Sequence, residues 1–291
     1  MKRFSAPIAL LLSALVMSNS SHAQGEAPAL EGPYLGQELP GLTPQPFAPG
    51  IVSTEHYEYG GTFTPDMKEF YFIAAGGKYE KQTFVVLKNE NNGWHKSEVS
   101  RRVGQPFISP DGKTMHLGRR YKERTKDGWS EVKSLGSHFE DIRVMRLTAS
   151  SKGTYVFDEA GTDGDGVIRY SRLIDGKREE PRPLSKEINT GTWNAHPFIA
   201  PDESYIMWDG RRDGGYGNSD IYISFRQQDG SWGAAINLGD KINTDAWEAA
   251  ASVTPDGKYL LFNRNVGSDN YENVDVFWVD AQIIETLRPK P

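Results

Sequence analysis

The feature that most constrains the fold of this chain is a Pro-Asp pair that recurs before short, aromatic-rich apolar runs. The pairs are Pro65-Asp66, Pro110-Asp111, Pro201-Asp202 and Pro255-Asp256. A degenerate copy begins at Ser150, so that successive copies are 45, 40, 51 and 54 residues apart. Proline presets φ at the second position of a β-turn, and aspartate suits the third position. Repeats of this length are typical of solenoids and propellers.

Each repeat has the pattern of four antiparallel strands. The first strand ends at the Pro-Asp turn, and an apolar run such as Tyr205–Trp208 forms the second. Asn92-Gly93, Asp127-Gly128 and Asp229-Gly230 each precede a tryptophan-containing fourth strand, and such dipeptides supply the positive φ of a two-residue hairpin. Apolar residues on consecutive positions suit sheets that are covered on both faces, as in propeller blades. The sequence therefore predicts an all-β fold.

Similar tripeptides at the same distance before three of the repeat prolines, which we call the register match, predict how the repeats close into a ring. Ile188-Asn189-Thr190 and Ile242-Asn243-Thr244 each begin 13 residues before a repeat proline, and Val52-Ser53-Thr54 does the same before Pro65. The last repeat lacks a fourth strand, so residues 46–54 are expected to supply it and to remove the open sheet edges. We predict a single propeller over residues 46–291 with five four-stranded blades closed by the N-terminal strand, with six blades as the alternative.

The first 23 residues have the pattern of a secretory signal peptide. Lys2 and Arg3 precede the apolar run 6–17, and small residues at Ser21 and Ala23 favour cleavage near Ala23. The run is too short to span a bilayer. We expect a periplasmic or secreted protein with an N-terminal extension at residues 24–45 and no membrane span.

Charge and cysteine content exclude several classes of function. The chain has 33 basic and 39 acidic residues, and removal of residues 1–23 leaves 31 and 39, a net charge of −8. A nucleic-acid-binding protein would have a basic excess, so we expect no nucleic-acid partner. The absence of cysteine excludes disulfides and thiolate metal sites, and the six histidines lack metal-ligand spacing. We therefore expect neither a metal nor a cofactor.

The repeats resemble those of a known superfamily. Ser109-Pro110-Asp111-Gly112-Lys113 and the segment 214–222 are similar to the WD-repeat-like Pro-Asp repeat of the TolB-like superfamily. The resemblance covers residues 46–280 and implies a β-propeller fold, a periplasmic location and binding to envelope proteins. The extra N-terminal domain found in TolB has no counterpart in the short segment after residue 23.

Polar residues at the beginning of the first strand of each repeat are the candidate ligand-binding residues. They lie seven or five positions before the repeat anchor, where the innermost strands of a propeller converge on one opening. The set is Glu58, Gln105, Arg143, Asn194, His196 and Glu248. Because the chain is acidic, an anionic ligand would require positive potential from Arg143. The alternative role of these side chains is to hydrate the channel or to tie adjacent blades together.

Two functions remain open from the sequence. The first is a monomeric, exported, non-catalytic propeller that binds an envelope protein or a glycan through one face, because no catalytic motif is present. The alternative is a carbohydrate-active enzyme, a glycosidase or lyase with its site at the propeller mouth. In that case Glu58 and Glu248 would be the catalytic carboxylates.

Overall fold

A computed structural model describes residues 31–290 of the chain, and these residues are nearly all β. The signal peptide and its cleavage site lie outside the described residues. The strands are β1 Gln45–Pro46, β2 Tyr57–Phe63, β3 Glu69–Gly76, β4 Tyr79–Glu90, β5 Gly93–Arg101, β6 Pro106–Ile108, β7 Thr114–Leu117, β8 Arg120–Thr125, β9 Gly128–Trp129, β10 Lys133–Ser134, β11 Leu147–Ala149, β12 Tyr155–Glu159, β13 Val167–Ser171, β14 Leu173–Ile174, β15 Lys177–Arg178, β16 Arg182–Pro183, β17 Thr192–Ile199, β18 Tyr205–Arg211, β19 Asp220–Phe225, β20 Ile236–Asn237, β21 Glu248–Val253, β22 Tyr259–Asn265 and β23 Val274–Asp280. One short helix, α1 Gln282–Leu287, follows the last strand.

We group the strands by the sequence repeats into five units, in which most consecutive strands are antiparallel neighbours; in unit 2 both β9 and β10 pair with β8, and in unit 3 β14 and β15 pair only with each other. Unit 1 is β2–β5, unit 2 is β6–β10, unit 3 is β11–β16, unit 4 is β17–β20 and unit 5 is β21–β23. Units 5 and 1 belong to one sheet, because Tyr57 of β2 forms a parallel pair with Val274 of β23. Among the described residues, no helix has the length and apolarity that a membrane crossing requires.

The first strands of the units lie beside one another, and we call β2, β6, β11, β17 and β21 the inner strands. Each inner strand contacts the inner strand of the next unit along the chain, from β2 to β21. Strand β2 also contacts β22 and β23 of unit 5. The contacts between units therefore run in a cycle. We call the end where the inner strands begin the start face, and the end at the Pro-Asp turns the turn face.

The Pro-Asp turns are held by hydrogen bonds within the turn. In unit 2 the Ser109 hydroxyl donates to Asp111 Oδ1 at 2.6 Å, and the same oxygen accepts the amide of Lys113 at 3.0 Å. Met67 in unit 1 and Glu203 in unit 4 take the glycine position of the turn, with left-handed φ values of 58° and 67°, close to the 72° and 75° of Gly112 and Gly257. The Pro-Asp turn geometry thus persists without glycine.

The segment before unit 1 packs against unit 5. Gln45 and Pro46 of β1 pair antiparallel with Trp278 and Phe277 of β23. The Phe47 amide donates a hydrogen bond to Val276 O at 2.7 Å, which extends this pairing by one residue. The Ser53 hydroxyl donates to the same carbonyl oxygen at 2.8 Å. The N-terminal segment therefore occupies the edge of β23 as a fourth strand does in another unit.

The residues of the register match have equivalent contacts in the structure. Asn189 bonds both backbone groups of Ile168 in β13, and Asn243 bonds both backbone groups of Ile221 in β19. Ser53 makes the corresponding contact with β23. In each case a polar side chain after the fourth strand fastens its connection to the third strand of the same unit.

The core around the N-terminal segment joins the first and last units. Phe47 is fully buried, and its ring lies 5.2 Å from Trp278 of unit 5 and 4.9 Å from Phe70 of unit 1. Tyr34 and Leu35, which precede β1, are buried in the same cluster. Apolar burial therefore stabilises the junction in addition to strand pairing.

We expect Phe47→Ala to lower the free energy of unfolding by about 3–5 kcal/mol, because it leaves a cavity between the two units. Urea denaturation followed by tryptophan fluorescence measures the change. Leu39→Ala is the matched control, since the Leu39 side chain is 55% exposed and its truncation should change stability by at most about 0.5 kcal/mol. Similar denaturation midpoints for the two variants would show that the segment does not join the units.

Candidate functional site

The six sequence-predicted residues lie at the start face, but they differ in exposure. Glu58, Gln105, Asn194 and Glu248 are buried, His196 is half-buried and Arg143 is exposed in the loop before β11. Only Arg143 and His196 of this set are therefore accessible from the surface.

Glu58 and Glu248 have the same local role in two different units. The Glu58 carboxylate accepts hydrogen bonds from the amide and the hydroxyl of Thr54, at 3.0 and 2.8 Å. Glu248 accepts the same pair of bonds from Thr244, at 3.0 and 2.6 Å, and also binds Arg264 Nε at 2.9 Å. Each glutamate thus fastens the connection that enters its own inner strand.

The carboxyl group that interacts with Glu58 belongs to Asp275 in β23. Burial, together with the nearby Glu58 carboxylate, raises the pKa of Asp275 from 3.8 to about 6. Burial also raises the pKa of Glu58, against the hydrogen bonds from Thr54. Asp275 Oδ1 is buried and has no hydrogen-bond partner among the described residues. A protonated Asp275 is therefore the stable form in mildly acidic solution.

Gln105 and Asn194 retain polar atoms without partners. Both atoms of the Gln105 amide are buried and unbonded within residues 31–290, and so is Asn194 Oδ1. The Gln105 side chain lies against Gly60, where even a Cβ would approach its Cγ to 3.0 Å. Because buried amides are normally hydrogen-bonded, an unbonded amide marks a position where a water or a ligand group fits.

His196 is held by a buried carboxylate. Its Nδ1 lies 3.0 Å from Asp209 Oδ2, while its side chain is 13% exposed. Burial lowers the pKa of His196, but Asp209 outweighs burial and the net shift is upward. The structure records no bond from Nε2 to a described residue; this nitrogen is a donor when the imidazole is protonated and an acceptor in the neutral form whose Nδ1–H faces Asp209.

Three hydrogen bonds between units involve backbone amides at bulges of the inner strands. Gly60, His196 and Ala250 have positive φ values of 71°, 44° and 56°, and each lies within an irregularity of the strand register. The amides donate to side chains of the preceding unit at 2.8–3.0 Å. The acceptors are Asn263, Asp158 and Asp209, respectively.

These acceptors could have been found in the sequence. Asp158, Asp209 and Asn263 each lie eight residues after the repeat anchor, in the second strand. A count of polar residues in otherwise apolar second strands identifies them. The pattern of the first strands does not reveal them, because their partner groups are backbone amides.

Arg146 was also missed, and it is a fully buried cation. Its Nη1 donates to the carbonyl oxygens of Ala251 at 3.0 Å and His196 at 3.4 Å, whereas Nε has no partner in the described part of the chain. Burial lowers the pKa of Arg146 to about 10, against the attraction of Tyr59, Asp209 and Asp158. A guanidinium without a direct carboxylate partner at this depth is a strong positive centre.

Aromatic rings connect Arg146 to the start face. The Tyr59 ring stacks on Tyr57 and on Trp247, with ring centroids 5.9 Å apart in both pairs. Tyr59 is buried and its hydroxyl has no recorded partner, while Tyr57 and Trp247 are half-buried. Trp247 in turn contacts the exposed Tyr271 at 5.5 Å. The rings form a continuous wall from solvent to the buried phenol.

A cavity of about 980 Å³ lies at the opposite end, on the turn face. Residues of all five units line it, together with α1. Its apolar wall includes Phe107, Phe198, Tyr205 and Ile284. This volume is at the upper end of the range for ligand sites. The sequence placed the ligand-binding mouth at the start face, whereas this cavity lies where the inner strands end.

Within residues 31–290 no three His, Asp or Glu side chains come together as potential metal ligands. The His196–Asp209 pair and the Glu58–Asp275 pair are therefore the acid–base groups that the start face offers. Either pair can exchange protons or hydrogen-bond a polar ligand, depending on access.

Comparisons with known proteins give remote similarities. No protein-family model matches the chain. A stretch of 76 residues, 26% of this chain, is 34% identical to mannose-1-phosphate guanylyltransferase regulatory subunit alpha-A of Danio rerio, and it spans only 16% of that protein.

Among solved structures the chain is similar to TolB from Acinetobacter baumannii, with 14% identity and a TM-score of 0.47 over 78% of this chain and 55% of TolB. It is also similar to an alpha-L-arabinofuranosidase from Lactobacillus brevis, with 15% identity and a TM-score of 0.45 over 78% of this chain and 91% of the enzyme. At these identities and TM-scores, no activity or partner carries over to this chain.

We expect Asp275→Asn to change how stability depends on pH. The folded-state pKa is raised, so the protonated carboxyl contributes stability that is fully present below about pH 4 and is lost as pH rises through about 6. The asparagine variant lacks this loss. Its free energy of unfolding, relative to that of the natural protein, should therefore be higher at pH 7 than at pH 4. Urea denaturation between pH 4 and 8 measures it.

Asp269→Asn is the control for this experiment, because Asp269 is exposed in the loop between β22 and β23. It should leave the pH profile unchanged. Parallel profiles for the natural protein and the Asp275 variant would contradict the buried carboxyl pair.

Proposed function

We propose that the chain is an exported, five-bladed β-propeller, closed by its N-terminal strand, that acts as a non-catalytic binding module for a protein of the cell envelope. The single observation that carries the binding role is the turn-face cavity of about 980 Å³, to which all five units contribute. The pairing of β1 with β23 and the cycle of contacts between units support the closed, five-bladed arrangement. The signal-peptide pattern of residues 1–23 supports export.

The lining of the cavity suits an apolar side chain of a partner protein. Phe107, Phe198 and Tyr205 provide aromatic walls, and Thr62 and Ser252 add hydroxyl groups. Interfaces of this kind gain most of their affinity from one or two side chains that fill a central apolar pocket. An inserted leucine or phenylalanine side chain has the required size and polarity.

Charged groups surround the apolar walls. Lys258, Asp202, Asp280 and the Glu285–Arg288 ion pair belong to the cavity lining, and the ion pair is formed at 2.7 Å. A polar rim around an apolar centre is the usual anatomy of a protein interface. The rim supplies orientation and register for the partner, while the apolar centre supplies affinity.

A carbohydrate-active enzyme remains the alternative, and one observation favours it. Asp275 has a pKa of about 6 and lies near the Glu58 carboxylate, a combination that suits a general acid beside a second carboxylate. The Glu58 oxygens, however, are bonded by Thr54. Glu248 is bonded in the same way by Thr244. These contacts favour a structural role for both glutamates, and the binding module is therefore the preferred function.

We expect a bulky substitution in the cavity to abolish capture of the partner. Val253→Trp places an indole in the cavity lining at the end of β21, so that a partner side chain can no longer enter. The measurement is affinity capture from an envelope extract with the mature protein as bait, followed by identification of the retained protein and a direct binding titration with it.

Val266→Trp is the matched control, because Val266 is exposed in the loop between β22 and β23 and lies outside the cavity. The control should retain the partner with unchanged affinity. Equal affinity of both variants would exclude the turn-face cavity as the binding site, provided that both melt as the natural protein does.

A further inference from the structure

The start face carries the exposed aromatic side chains of the described residues. Among the tryptophan, tyrosine and phenylalanine residues of the range 31–290, the exposed ones are Trp193 at 49%, Tyr216 at 49% and Tyr271 at 39%. Trp193 lies in β17 near its beginning, and the other two lie in the loops before β19 and before β23. Because consecutive strands alternate in direction, all three emerge at the end where the inner strands begin. A cluster of exposed aromatic rings marks a binding surface.

The inner strands also begin with similar side chains. In every unit the residue seven positions before the start of the turn at the end of the inner strand is aromatic or an arginine, namely Tyr57, Arg102, Arg143, Trp193 and Trp247. Units 4, 5 and 1 are consecutive in the cycle of contacts. Trp193, Trp247 and Tyr57 therefore share one arc of the start face.

Ring contacts join the aromatic residues of this arc. Tyr59 stacks between Tyr57 and Trp247, and its ring lies 5.8 Å from the imidazole of His196. The His196 ring lies 6.5 Å from Trp247, which lies 5.5 Å from Tyr271. Units 1, 4 and 5 thus contribute to one connected cluster that reaches the surface at Tyr271.

Trp193 is held at the surface by an unusual backbone conformation. Its φ is 58°, a left-handed value that bulky residues rarely adopt. The Trp193 amide donates to Gly164 O of unit 3 at 2.8 Å, and the indole lies against the same glycine. A strained residue that keeps a large ring in contact with solvent is more typical of a functional position than of a packing position.

The buried polar atoms without partners near the inner strands are of both kinds. Within residues 31–290, Arg146 Nε and Gln105 Nε2 are donors, whereas Gln105 Oε1, Asn194 Oδ1 and Asp275 Oδ1 are acceptors. A molecule that completes this set, directly or through ordered water, has to offer donors and acceptors together. A hydroxyl group does both, whereas a carboxylate only accepts and an ammonium group only donates.

Two buried polar groups lie directly beside the aromatic residues. Ser219 forms a parallel bridge with Trp247, and its hydroxyl has no partner in the described part of the chain. Asp275 follows Val274, which pairs with Tyr57. Polar atoms therefore alternate with rings, whereas a protein interface has an apolar centre within a polar rim. Apolar C–H faces alternate with hydroxyl groups in the same way on a sugar.

Charged groups of this region are paired with one another. Asp209 lies 3.0 Å from His196 Nδ1, and Glu248 binds Arg264 Nε at 2.9 Å. His196 Nε2 donates when the imidazole is protonated and accepts in the neutral form. A hydroxyl group bonds this nitrogen in both forms, which favours a neutral, hydroxyl-rich ligand.

We propose that the start face binds a neutral oligosaccharide, with sugar rings against Trp193, Trp247 and Tyr271 and a hydroxyl group bonded to His196 Nε2. This site is separate from the turn-face cavity and does not rest on the protein-binding function proposed above.

Calorimetric titration of the mature protein with four neutral tetrasaccharides tests the proposal. The probes are cellotetraose, maltotetraose, mannotetraose and chitotetraose. We expect at least one of them to bind with a Kd below about 1 mM. Binding of none would overturn the proposal. Tighter binding of a mannuronate tetramer than of all four would overturn the neutral ligand.

Variants of exposed aromatic residues locate the site. Trp193→Ala and Tyr271→Ala should each weaken binding of the tetrasaccharide about tenfold, the effect of one lost aromatic contact, and Trp193→Phe should retain most of the affinity. Trp232→Ala is the matched control, because Trp232 is half-buried beside the hairpin 229–230 at the turn-face end of unit 4. If Trp193→Ala binds as the control does while both melt cooperatively, the sugar does not lie at Trp193 and the proposal fails.

Capture from an envelope extract distinguishes a sugar site from a second protein interface. We expect no retained protein to depend on Trp193. Retention of a protein that is lost with Trp193→Ala, and that the tetrasaccharide does not displace, would overturn the oligosaccharide in favour of a protein partner. Val253→Trp should leave tetrasaccharide binding unchanged, so failure of the protein-binding function and failure of this site are seen separately.

Discussion

The arrangement of the units depends on a hydrogen bond between the amide of a bulged residue and a side chain of the preceding unit. A bulge takes an amide out of the ladder of its own sheet, and a buried amide without an acceptor costs about 1–3 kcal/mol. Asn263, Asp158 and Asp209 provide the acceptors for Gly60, His196 and Ala250. The inner strands of units 4 and 5 are thus completed by the unit before each, and the inner strand of unit 1 is completed by unit 5.

The junctions between units 1 and 2 and between units 2 and 3 lack this bond. Ile73 in unit 1 and Gly118 in unit 2 stand where the other units have the acceptor, and Gln105 of unit 2 has no partner within residues 31–290. Near the outer edge of the sheets, Arg124 of unit 2 binds Glu69 at 2.7 Å, and the Trp129 indole donates to Tyr71 at 2.9 Å. This network stabilises the junction between units 1 and 2 without a hydrogen bond from Gln105.

Local sequence patterns were sufficient to predict an all-β chain, but not every fourth strand and not the site: Trp232 lies before β20 rather than in it, and unit 3 has six strands instead of four. The Pro-Asp turns predicted the repeats, since a turn depends on residues close in sequence. The number of residues between Ser53 and Pro65, which matches the other repeats, predicted the contact of the N-terminal segment with β23. A bulge breaks the alternation of faces along a strand, so a period of two does not show where His196 points. Arg146 lies before β11, and its burial depends on units 4 and 5.

The two faces differ in whether their side chains can be substituted without loss of a hydrogen bond between units. The turn-face cavity is lined largely by ends of strands whose backbone geometry is set by Pro-Asp turns, so its side chains can change without loss of a bond between units. At the start face His196 contributes its amide to the bond with Asp158 and its ring to Asp209. A ligand that binds His196 therefore also stabilises the contact between units 3, 4 and 5, because it binds only the folded arrangement. A partner that fills the turn-face cavity contacts residues of all five units, so binding at either face would favour the assembled arrangement of the units.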